Sequence, residues 1–349
     1  MRVLHIGKYF PPHRGGMETV LRDQMNMQAR DEGLHVSAIV HSSERRLKDK
    51  IEIRPEGYRV RYAARWFTAL FAPIAPFFAW SVYREIKATN PDEIKIHMPN
   101  VSAFWLLLLP AARRCRWVVL WHSDVLPTRH NWAFKVAYIF YRQLEVRVLR
   151  QCAGVLATSP QYLASSQPLQ AFSEKCEVEP LKIDTTRIPQ SFLEAPQPPK
   201  QKGEGLRVLC VGRLTYYKDF QTAIAAVAKI PDAHLHIIGE GEERGNLESI
   251  IRDLRVERRV KLLGDVADEV VWQELVWTDV NVLPSKERTE AFGLVILEAA
   301  CFGKPTIVAD TPGSGMQWVA QTISPRGTLF KSGSAESLAQ QFSNFALHN

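Results

Sequence analysis

The sequence lacks the cysteine patterns that cross-link small domains or bind zinc. Its five cysteines, Cys115, Cys152, Cys176, Cys210 and Cys301, stand singly, with no CxxC pair among them. An odd number of scattered cysteines argues against a disulfide framework and against a structural zinc site. Free thiols of this kind persist in reducing compartments, so we expect a cytoplasmic protein.

Long apolar runs are also scarce. The longest, Trp66–Tyr83, has 18 residues, close to the length of a membrane span, but Pro73 and Pro76 interrupt its middle. Core or domain-interface helices are the favoured interpretation, and a surface that dips into a membrane interface or a true span are the alternatives. The opening MRVLHIGKYF is charged too early for a signal peptide and predicts a buried first strand.

Motifs typical of nucleic-acid binding are missing, although the chain carries a net charge of +7. Residues 1–195 contain 27 Lys and Arg against 18 Asp and Glu, and the remainder contains 17 against 19. The basic first half favours an anionic partner, either phospholipid headgroups or an acceptor that carries a pyrophosphate. Nucleic acid is the weakest candidate, and a solvated face without any partner is the alternative.

One segment reads as a linker. Glu194–Gly205, EAPQPPKQKGEG, is rich in proline, glycine and lysine. The next residues, LRVLCVGRL, repeat the form of the chain start: a short apolar run that ends in glycine and a basic residue. We therefore expect two domains, residues 1–193 and 206–349, joined by residues 194–205.

Short apolar runs alternate with helical periodicity in both halves, which predicts parallel sheets covered on both faces. The predicted strands are Val3–Ile6, Val36–Val40, Glu93–His97, Trp117–Trp121 and Gly154–Ala157, then Arg207–Val211, His234–Ile238, Lys261–Leu263, Val280–Leu283 and Thr306–Ala309. Helices are predicted between them, for example over Gln221–Ala228 and Asn246–Leu254. Ligands of open parallel sheets bind beyond the carboxyl ends of the strands, so we expect a site in a cleft between two such domains.

Several predicted strands end in glycine. Gly15 and Gly16 follow the first strand and can let backbone N–H groups approach an anion at the start of the next helix. Gly239 and Gly264 end later strands and allow a flat ligand close to the backbone. Each signal is weak alone, because ordinary turns between strands and helices are also rich in glycine.

Polar residues follow two other strands. His122 begins a His-Ser-Asp cluster at the end of a first-half strand, a position that favours an active-site role over a structural one. Arg213 and Lys218 share the loop after the first strand of the second half. Two cations there suit a diphosphate, Arg213 through a bidentate fork and Lys218 as a point charge. Two solvated loop cations are the alternative.

The segment TEAFGLVILEA places Glu290 and Glu298 eight residues apart. In one helix that spacing would separate them by roughly 12 Å along the axis, too far to share a proton or a small metal ion. They could instead hold two ends of one extended polar ligand. Glu290 falls in a loop or at a helix N-terminus, where the N–H groups of residues 292–294 can also meet an oxyanion.

In this order, these motifs resemble those of glycosyltransferase family 4, the retaining nucleotide-sugar transferases of GT-B fold. The resemblance rests on the early Gly-Gly, HSD, GRL with its lysine, GEG, LLGDV and above all EAFGLxxxE. It covers nearly the whole chain and looks closest to bacterial mannosyltransferases of O-antigen or exopolysaccharide assembly. It implies two Rossmann-like domains of doubly wound parallel sheet.

The resemblance also implies roles for residues. In the family, the counterpart of Glu298 holds the nucleotide ribose, and Arg213 and Lys218 neutralise the diphosphate. Glu290 and the backbone of Phe292, Gly293 and Leu294 hold the donor sugar and its phosphate, Gly16 approaches from the other domain, His122 sits beside the transferred sugar, and Gly239 and Val266 border the base.

The implied reaction retains configuration at the anomeric carbon and needs no metal or other cofactor, in keeping with the lack of an Asp-x-Asp sequence. The expected donor is GDP-mannose, with UDP-sugars as the alternative. The expected acceptor is a saccharide on a polyprenyl diphosphate, with the enzyme peripheral on the inner face of the plasma membrane.

Only 19 residues follow Gly327–Phe330, so the family's C-terminal crossing helix is expected to be short or missing. A non-catalytic relative that binds nucleotide sugars is therefore a further alternative, as are an epimerase or a phosphorylase on the same scaffold.

Overall fold

A computed structural model of the chain describes residues 1–45, 47–69, 72–126 and 132–347. The chain forms two compact units, Met1–Asp184 and Thr185–Asn349. The division lies before the predicted linker. Within that linker, the carbonyl oxygens of Pro198 and Pro199 accept hydrogen bonds from the buried Arg207 guanidinium at 2.6 and 2.8 Å, so this segment is fastened to the second unit.

The first unit is built on an eight-stranded sheet. Its strands and those of a separate hairpin are β1 (Arg2–Ile6), β2 (His35–His41), β3 (Lys50–Ile53), β4 (Arg59–Ala63), β5 (Phe67–Ala69), β6 (Ala72–Ile74), β7 (Glu93–Met98), β8 (Arg116–Trp121), β9 (Gly154–Ala157) and β10 (Cys176–Val178). The sheet order is β10-β9-β8-β7-β1-β2-β4-β3, and only β3 runs antiparallel to its neighbour. The hairpin pairs β5 with β6.

Five α-helices accompany this sheet in the described residues: α1 (Gly16–Arg30), α2 (Phe78–Thr89), α3 (Trp132–Gln151), α4 (Pro160–Ser165) and α5 (Gln167–Gln170). Short 3-10 helices cover Val101–Leu108, Ala112–Arg114 and Ser173–Lys175. Helix α1 buries Leu21 and Met25 against Val36 and Val40 of β2. Burial of such apolar side chains holds the helix on the sheet at roughly 1.5–3 kcal/mol for each residue.

The second unit is built on a six-stranded sheet in which every pair is parallel. Its strands are β11 (Arg207–Val211), β12 (His234–Ile238), β13 (Val260–Gly264), β14 (Val280–Leu283), β15 (Thr306–Asp310) and β16 (Gly327–Lys331). Its α-helices are α6 (Gln190–Leu193), α7 (Phe220–Ala228), α8 (Arg244–Asp253), α9 (Asp268–Trp277), α10 (Leu294–Cys301), α11 (Met316–Thr322) and α12 (Ala335–Leu347), with 3-10 turns at Thr185–Arg187 and Tyr216–Lys218.

Both sheets have the doubly wound strand order. In the second unit the order is β13-β12-β11-β14-β15-β16, and in the first unit β1 lies between β7 and β2. Successive strands are therefore added first on one side and then on the other side of β1 in the first sheet and of β11 in the second. Such switch points leave a crevice at the carboxyl ends of the strands, where ligands of these folds bind.

The ten strands predicted from the sequence are all present, with ends shifted by no more than one residue. Four further strands of the sheets, β3, β4, β10 and β16, were not predicted. Strand β4 contains two arginines, which interrupt the apolar run by which a buried strand is recognised. Glu85 of α2, fully buried, accepts from Arg59 and Arg61 at 2.9 and 2.6 Å, so these side chains are tolerated in the unit's interior.

The prediction of helices throughout Trp66–Tyr83 is wrong for its first half. There the chain forms the β5–β6 hairpin, and helix α2 begins only at Phe78. Residues 70 and 71 of the stretch lie outside the described residues. Proline at positions 73 and 76 excludes a helix there, because it removes a backbone donor and clashes with the preceding turn. No helix among the described residues is both long and apolar enough to span a bilayer.

Candidate active site

The turns that follow β11, β12 and β13 are packed directly on one another. Gly239 donates its N–H to the Gly264 carbonyl at 2.9 Å, and Gly212 donates to the Ile238 carbonyl at 2.9 Å. A Cβ atom on Gly239 would lie 2.0 Å from the Gly212 oxygen, and its φ of 138° disfavours other residues. The sequence predicted a flat ligand close to the backbone at Gly239. The structure places another turn against this glycine, and the ligand contact stays a prediction.

Lys218 and Glu290 form a buried ion pair at the switch point. The ammonium of Lys218 donates to Glu290 Oε2, which also accepts from Ser285 Oγ at 3.3 Å. Desolvation lowers the pKa of Lys218, but the charge of Glu290, together with the Tyr217 hydroxyl, outweighs it and leaves the pKa raised. Lys218 is therefore a cation at neutral pH in the loop after β11.

Helix α10 begins directly after this pair. Gly293 caps it at a φ of 80°, and no side-chain cap hydrogen bond forms there among the described residues. Phe292 is buried and anchors the turn, so Phe292, Gly293 and Leu294 present their backbone at the helix N-terminus. Free N–H groups and the helix dipole favour an anion there. The loop position predicted for Glu290 is confirmed.

Glu298 lies on α10 itself. Its Oε1 accepts from Arg187 Nη2 at 2.8 Å, and both side chains are mostly buried, with 18% and 12% exposed. The sequence did not indicate Arg187, which lies 111 residues away along the chain. Arg187 thus offsets the charge of the carboxylate and orients it.

Three residues that the sequence analysis did not single out hold the loops after β11 and β14 in place. Lys286 donates to Asp219 at 2.9 Å, and its ammonium lies 3.6 Å from the ring centre of Tyr216. Ser314 donates its hydroxyl to the Glu290 carbonyl at 2.5 Å, and Thr311 donates to the Ser285 carbonyl at 2.8 Å. The only sequence signal was the SKER run before Thr289. The two hydroxyl residues come from the loop after β15, which no motif marked.

The other predicted residues of this unit lie at the same edge. The Arg213 side chain is exposed, and within the described ranges it forms no ion pair. Val266 is half-buried and packs against the cluster that contains Leu209 and Ile238. The structure thus brings Lys218 and Glu290 into contact and leaves Arg213 open to solvent.

In the first unit, Gly15 is the extended N-cap of α1, and Gly16 is the helix's first residue. His122 follows β8, and its Nε2 lies 2.9 Å from His97 Nδ1. Asp124, in contrast, accepts from Trp121 at 2.8 Å and from Ser166 at 2.7 Å, so it is a structural residue. Burial lowers the pKa of His122 to about 4, so the imidazole is neutral at pH 7.

Comparison with known proteins agrees with this geometry. The sequence model of the family described as Glycosyltransferase Family 4 matches residues 14–187, and that of Glycosyl transferases group 1 matches residues 192–348. Together the two models span nearly the whole chain.

The chain belongs to glycosyltransferase family 4. It is 28% identical to O-antigen chain mannosyltransferase C of Escherichia coli, over 92% of this chain and 82% of the relative. It is also 28% identical to the D-rhamnosyltransferase WbpZ of Pseudomonas aeruginosa, over 91% of this chain and 80% of the relative. This glycosyltransferase is thus related to mannosyl- and rhamnosyltransferases of O-antigen type.

The fold comparison identifies the GT-B architecture. The Anabaena Alr3699/HepE structure, in complex with UDP and glucose, superposes with a TM-score of 0.70 at 20% identity, covering 99% of this chain and 89% of that one. The predicted fold and transferase activity of the glycosyltransferase are therefore confirmed. The roles assigned to single residues stay predictions.

The buried histidines of the glycosyltransferase predict acid sensitivity. Burial lowers the pKa of His41 to about 3, and neither ring nitrogen has a hydrogen-bond partner among the described residues. The unfolded chain binds a proton there below about pH 6.5 while the folded chain does not, so stability falls as pH drops. Between pH 7.5 and 5.0 the free energy of unfolding falls in the unchanged protein. In His41→Leu we expect this fall to be smaller by about 2 kcal/mol.

Urea unfolding at the two pH values measures this difference. His35→Leu is the matched control, because His35 is exposed and also belongs to β2. The prediction is wrong if both variants show the same pH dependence.

Proposed function

We propose that the enzyme transfers a hexose from a nucleotide-sugar donor to a saccharide acceptor with retention of anomeric configuration. The observation that carries the proposal is the arrangement at the β11 switch point. A buried cation, Lys218, a carboxylate, Glu290, and the N-terminus of α10 meet there, and Glu298 lies further along the same helix. One extended ligand with a sugar, a diphosphate and a ribose presents the groups that these residues complement.

Each group has a role in the step. The bond between the sugar's C1 and the diphosphate oxygen breaks, and a bond from C1 to the acceptor hydroxyl oxygen forms on the same face. The hydroxyl proton passes to the departing phosphate. Lys218, Arg213 and the first N–H groups of α10 stabilise the negative charge that develops on the diphosphate. Glu290 accepts hydrogen bonds from the sugar, and no divalent metal takes part.

The proposed donor is GDP-mannose. Its support is the similarity to O-antigen chain mannosyltransferase C over most of both chains. The second relative is named a D-rhamnosyltransferase, so this degree of similarity is compatible with more than one sugar. A UDP-sugar is the alternative, since a structure of the same fold holds UDP and glucose.

Glu298 is proposed to accept hydrogen bonds from the ribose hydroxyls. We expect the enzyme to bind GDP more tightly than UDP or ADP in a calorimetric titration. Glu298→Gln should weaken that binding about tenfold, because an amide offers one acceptor oxygen in place of two. Glu274→Gln is the matched control: Glu274 is also a helical glutamate with a side-chain partner, because its Oε2 lies 2.6 Å from Nδ1 of His236 on β12.

Equal binding of all three nucleotides would contradict the GDP assignment. Equal loss in Glu298→Gln and Glu274→Gln would contradict the role of Glu298. Binding without turnover of any donor would favour the non-catalytic alternative.

Lys218 is proposed to stabilise the leaving diphosphate. Lys218→Met should lower kcat about 10²–10³-fold while the protein stays folded, because the missing charge acts mainly in the transition state. Lys229→Met is the control, since Lys229 forms an exposed pair with Glu336. NMR of the product should show the donor's anomeric configuration, and EDTA should not change the rate. An inverted product or loss of activity in EDTA would overturn the mechanism.

A groove in the first unit supports a lipid-linked acceptor at a membrane. Helix α3 and the 3-10 helix Val101–Leu108 enclose a cavity of about 980 Å³ with a mainly apolar lining. Beside it, α3 exposes an apolar stripe at helical spacing. The stripe consists of Trp132, Val136, Ile139 and Phe140, which are 45–78% exposed. Isolated exposed apolar residues are ordinary, but a stripe continuous with an apolar groove marks a docking surface.

The arginines around the groove favour an anionic partner. Arg113, Arg147 and Arg150 line it, and the α3 residue Glu145 is buried in a pair with Arg142. An apolar helical stripe rimmed by arginines fits the interface of an anionic bilayer. We propose that this surface, rather than Trp66–Tyr83 alone, holds the enzyme on the inner face of the plasma membrane, near a polyprenyl-diphosphate-linked saccharide acceptor.

The double variant Ile139→Ser/Phe140→Ser tests this surface. Binding to phosphatidylglycerol-rich vesicles in a sedimentation assay should fall about tenfold or more, because two apolar side chains no longer enter the bilayer. Transfer to a short water-soluble saccharide should be unchanged. The control, Phe67→Ser/Trp80→Ser, alters exposed residues of the stretch that the sequence indicated. A loss in the control alone would place the docking surface there.

A further inference from the structure

Three histidines cross the switch point of the first unit on neighbouring strands. His5 of β1 aligns with Lys95 of β7, His97 follows Lys95 by two residues, and His97 aligns with Leu120 of β8. His122 follows Leu120 by two residues. Because side chains alternate between the faces of a strand, the three imidazoles lie on one face of the sheet.

These rings form a continuous chain of hydrogen bonds. His122 Nε2 lies 2.9 Å from His97 Nδ1, and His97 Nε2 lies 3.0 Å from His5 Nδ1. His5 Nε2 lies 2.9 Å from the Oε1 atom of Gln28 on α1. The rings of His97 and His122 are stacked, with their planes 12° apart.

The amide of Gln28 gives the chain a direction. A neutral imidazole has one N–H and one lone pair, and an amide oxygen can only accept. With the Gln28 amide oriented so that its oxygen faces His5, the proton of His5 is assigned to Nε2, which leaves Nδ1 to accept from His97. His97 in turn carries its proton on Nε2 and accepts from His122. His122 is thus the Nε2–H tautomer, and its Nδ1 is left with a lone pair to which no described residue donates.

Burial keeps the three hydrogen-bonded imidazoles neutral. His5 and His97 are almost completely buried, and desolvation lowers the pKa of His5 to about 3 and that of His97 well below its usual value. The ammonium of Lys95 adds to both effects. The ring nitrogens face one another in pairs, and no three histidine, cysteine or carboxylate side chains in the described parts of the chain are placed to share a metal ion.

His122 also lines a cavity of about 240 Å³ in the first unit. Polar side chains contribute to its wall, among them Gln24, Lys95, Thr158 and Lys182. His122 follows β8 and so lies at the carboxyl-end edge of the sheet, where ligands of doubly wound folds bind, and the cavity extends from it along α1 as far as Asp31 and Glu32. A neutral acceptor in such a place suits a hydroxyl group.

We propose that Gln28, His5 and His97 are positioning residues that hold His122 as the Nε2–H tautomer, so that its Nδ1 accepts a hydrogen bond from a sugar hydroxyl. The proposal rests on the hexosyl transfer proposed above and adds the residues that set the polarity of its sugar contact. If the hydrogen bonds between the histidines ran in the opposite direction, His122 Nδ1 would carry a proton. That N–H would donate to the oxygen of the sugar hydroxyl instead of accepting from it.

The tautomers can be read directly. In protein labelled with ¹⁵N in its histidines, long-range ¹H–¹⁵N spectra at pH 7 separate a protonated ring nitrogen from an unprotonated one. We expect His122, assigned by the signals lost in His122→Gln, to show a proton on Nε2 alone. A proton on Nδ1, or on both nitrogens, would overturn the proposal.

Two variants of Gln28 test whether this residue determines the tautomer of His122. Gln28→Met has nearly the same shape but accepts no hydrogen bond of comparable strength, so it should let the chain reverse and move a proton to His122 Nδ1. Transfer should then fall about tenfold in kcat/KM, as expected for one hydrogen bond. Gln28→Glu can still only accept and should keep both the tautomer and most of the activity. A purely structural role of Gln28 predicts unchanged tautomers in both variants.

The readouts separate this proposal from the proposed function. Titration with GDP probes the second unit and should be the same in all Gln28 variants. If no donor supports transfer in the unchanged enzyme, the proposed function fails, whereas the tautomer spectra still decide whether Gln28 directs the histidine chain. If transfer proceeds equally in Gln28→Met with His122 reversed, the sugar contact is overturned while the transferase activity stands.

Discussion

The close stacking of three backbone turns is the constraint on which the second unit's site depends. The turns after β11, β12 and β13 exchange backbone hydrogen bonds, and Gly239 leaves no room for a side chain against the Gly212 carbonyl. With these turns fixed, the loop after β11 delivers Lys218 to the edge of the sheet. There it meets Glu290 from the loop after β14, its neighbour at the switch point.

Charge is handled in opposite ways at the two switch points. At the switch point of the second unit, Lys218 pairs with Glu290 and Lys286 pairs with Asp219, and the charge of Glu290 offsets the desolvation of Lys218. In the first unit, His5, His97 and His122 bond to one another and stay neutral. The proposed transferase thus combines a charged region suited to a diphosphate with an uncharged, directional one suited to hydroxyl groups.

The strands and the glycine turns could be predicted because their causes are local. Apolar runs such as Val280–Leu283 are buried on both faces, and a glycine at the end of a strand marks a close approach. Strand β4 escaped prediction because Arg59 and Arg61 are paired by Glu85, a residue on a helix more than twenty positions away, and Arg61 also by Asp49. Arg187, Ser314 and Gln28 escaped for the same reason, since each acts through a partner distant along the chain.

The motif residues of the candidate site, the ten predicted strands and the family could therefore be read from the sequence, since motif spacing and strand periodicity are properties of short segments. Which side chains meet was decided by the tertiary structure alone. The doubly wound topology brings β7 beside β1 and β14 beside β11. Only that arrangement aligns the three histidines and joins Lys218 to Glu290, because hydrogen bonds and ion pairs depend on distances in space that sequence separation does not encode.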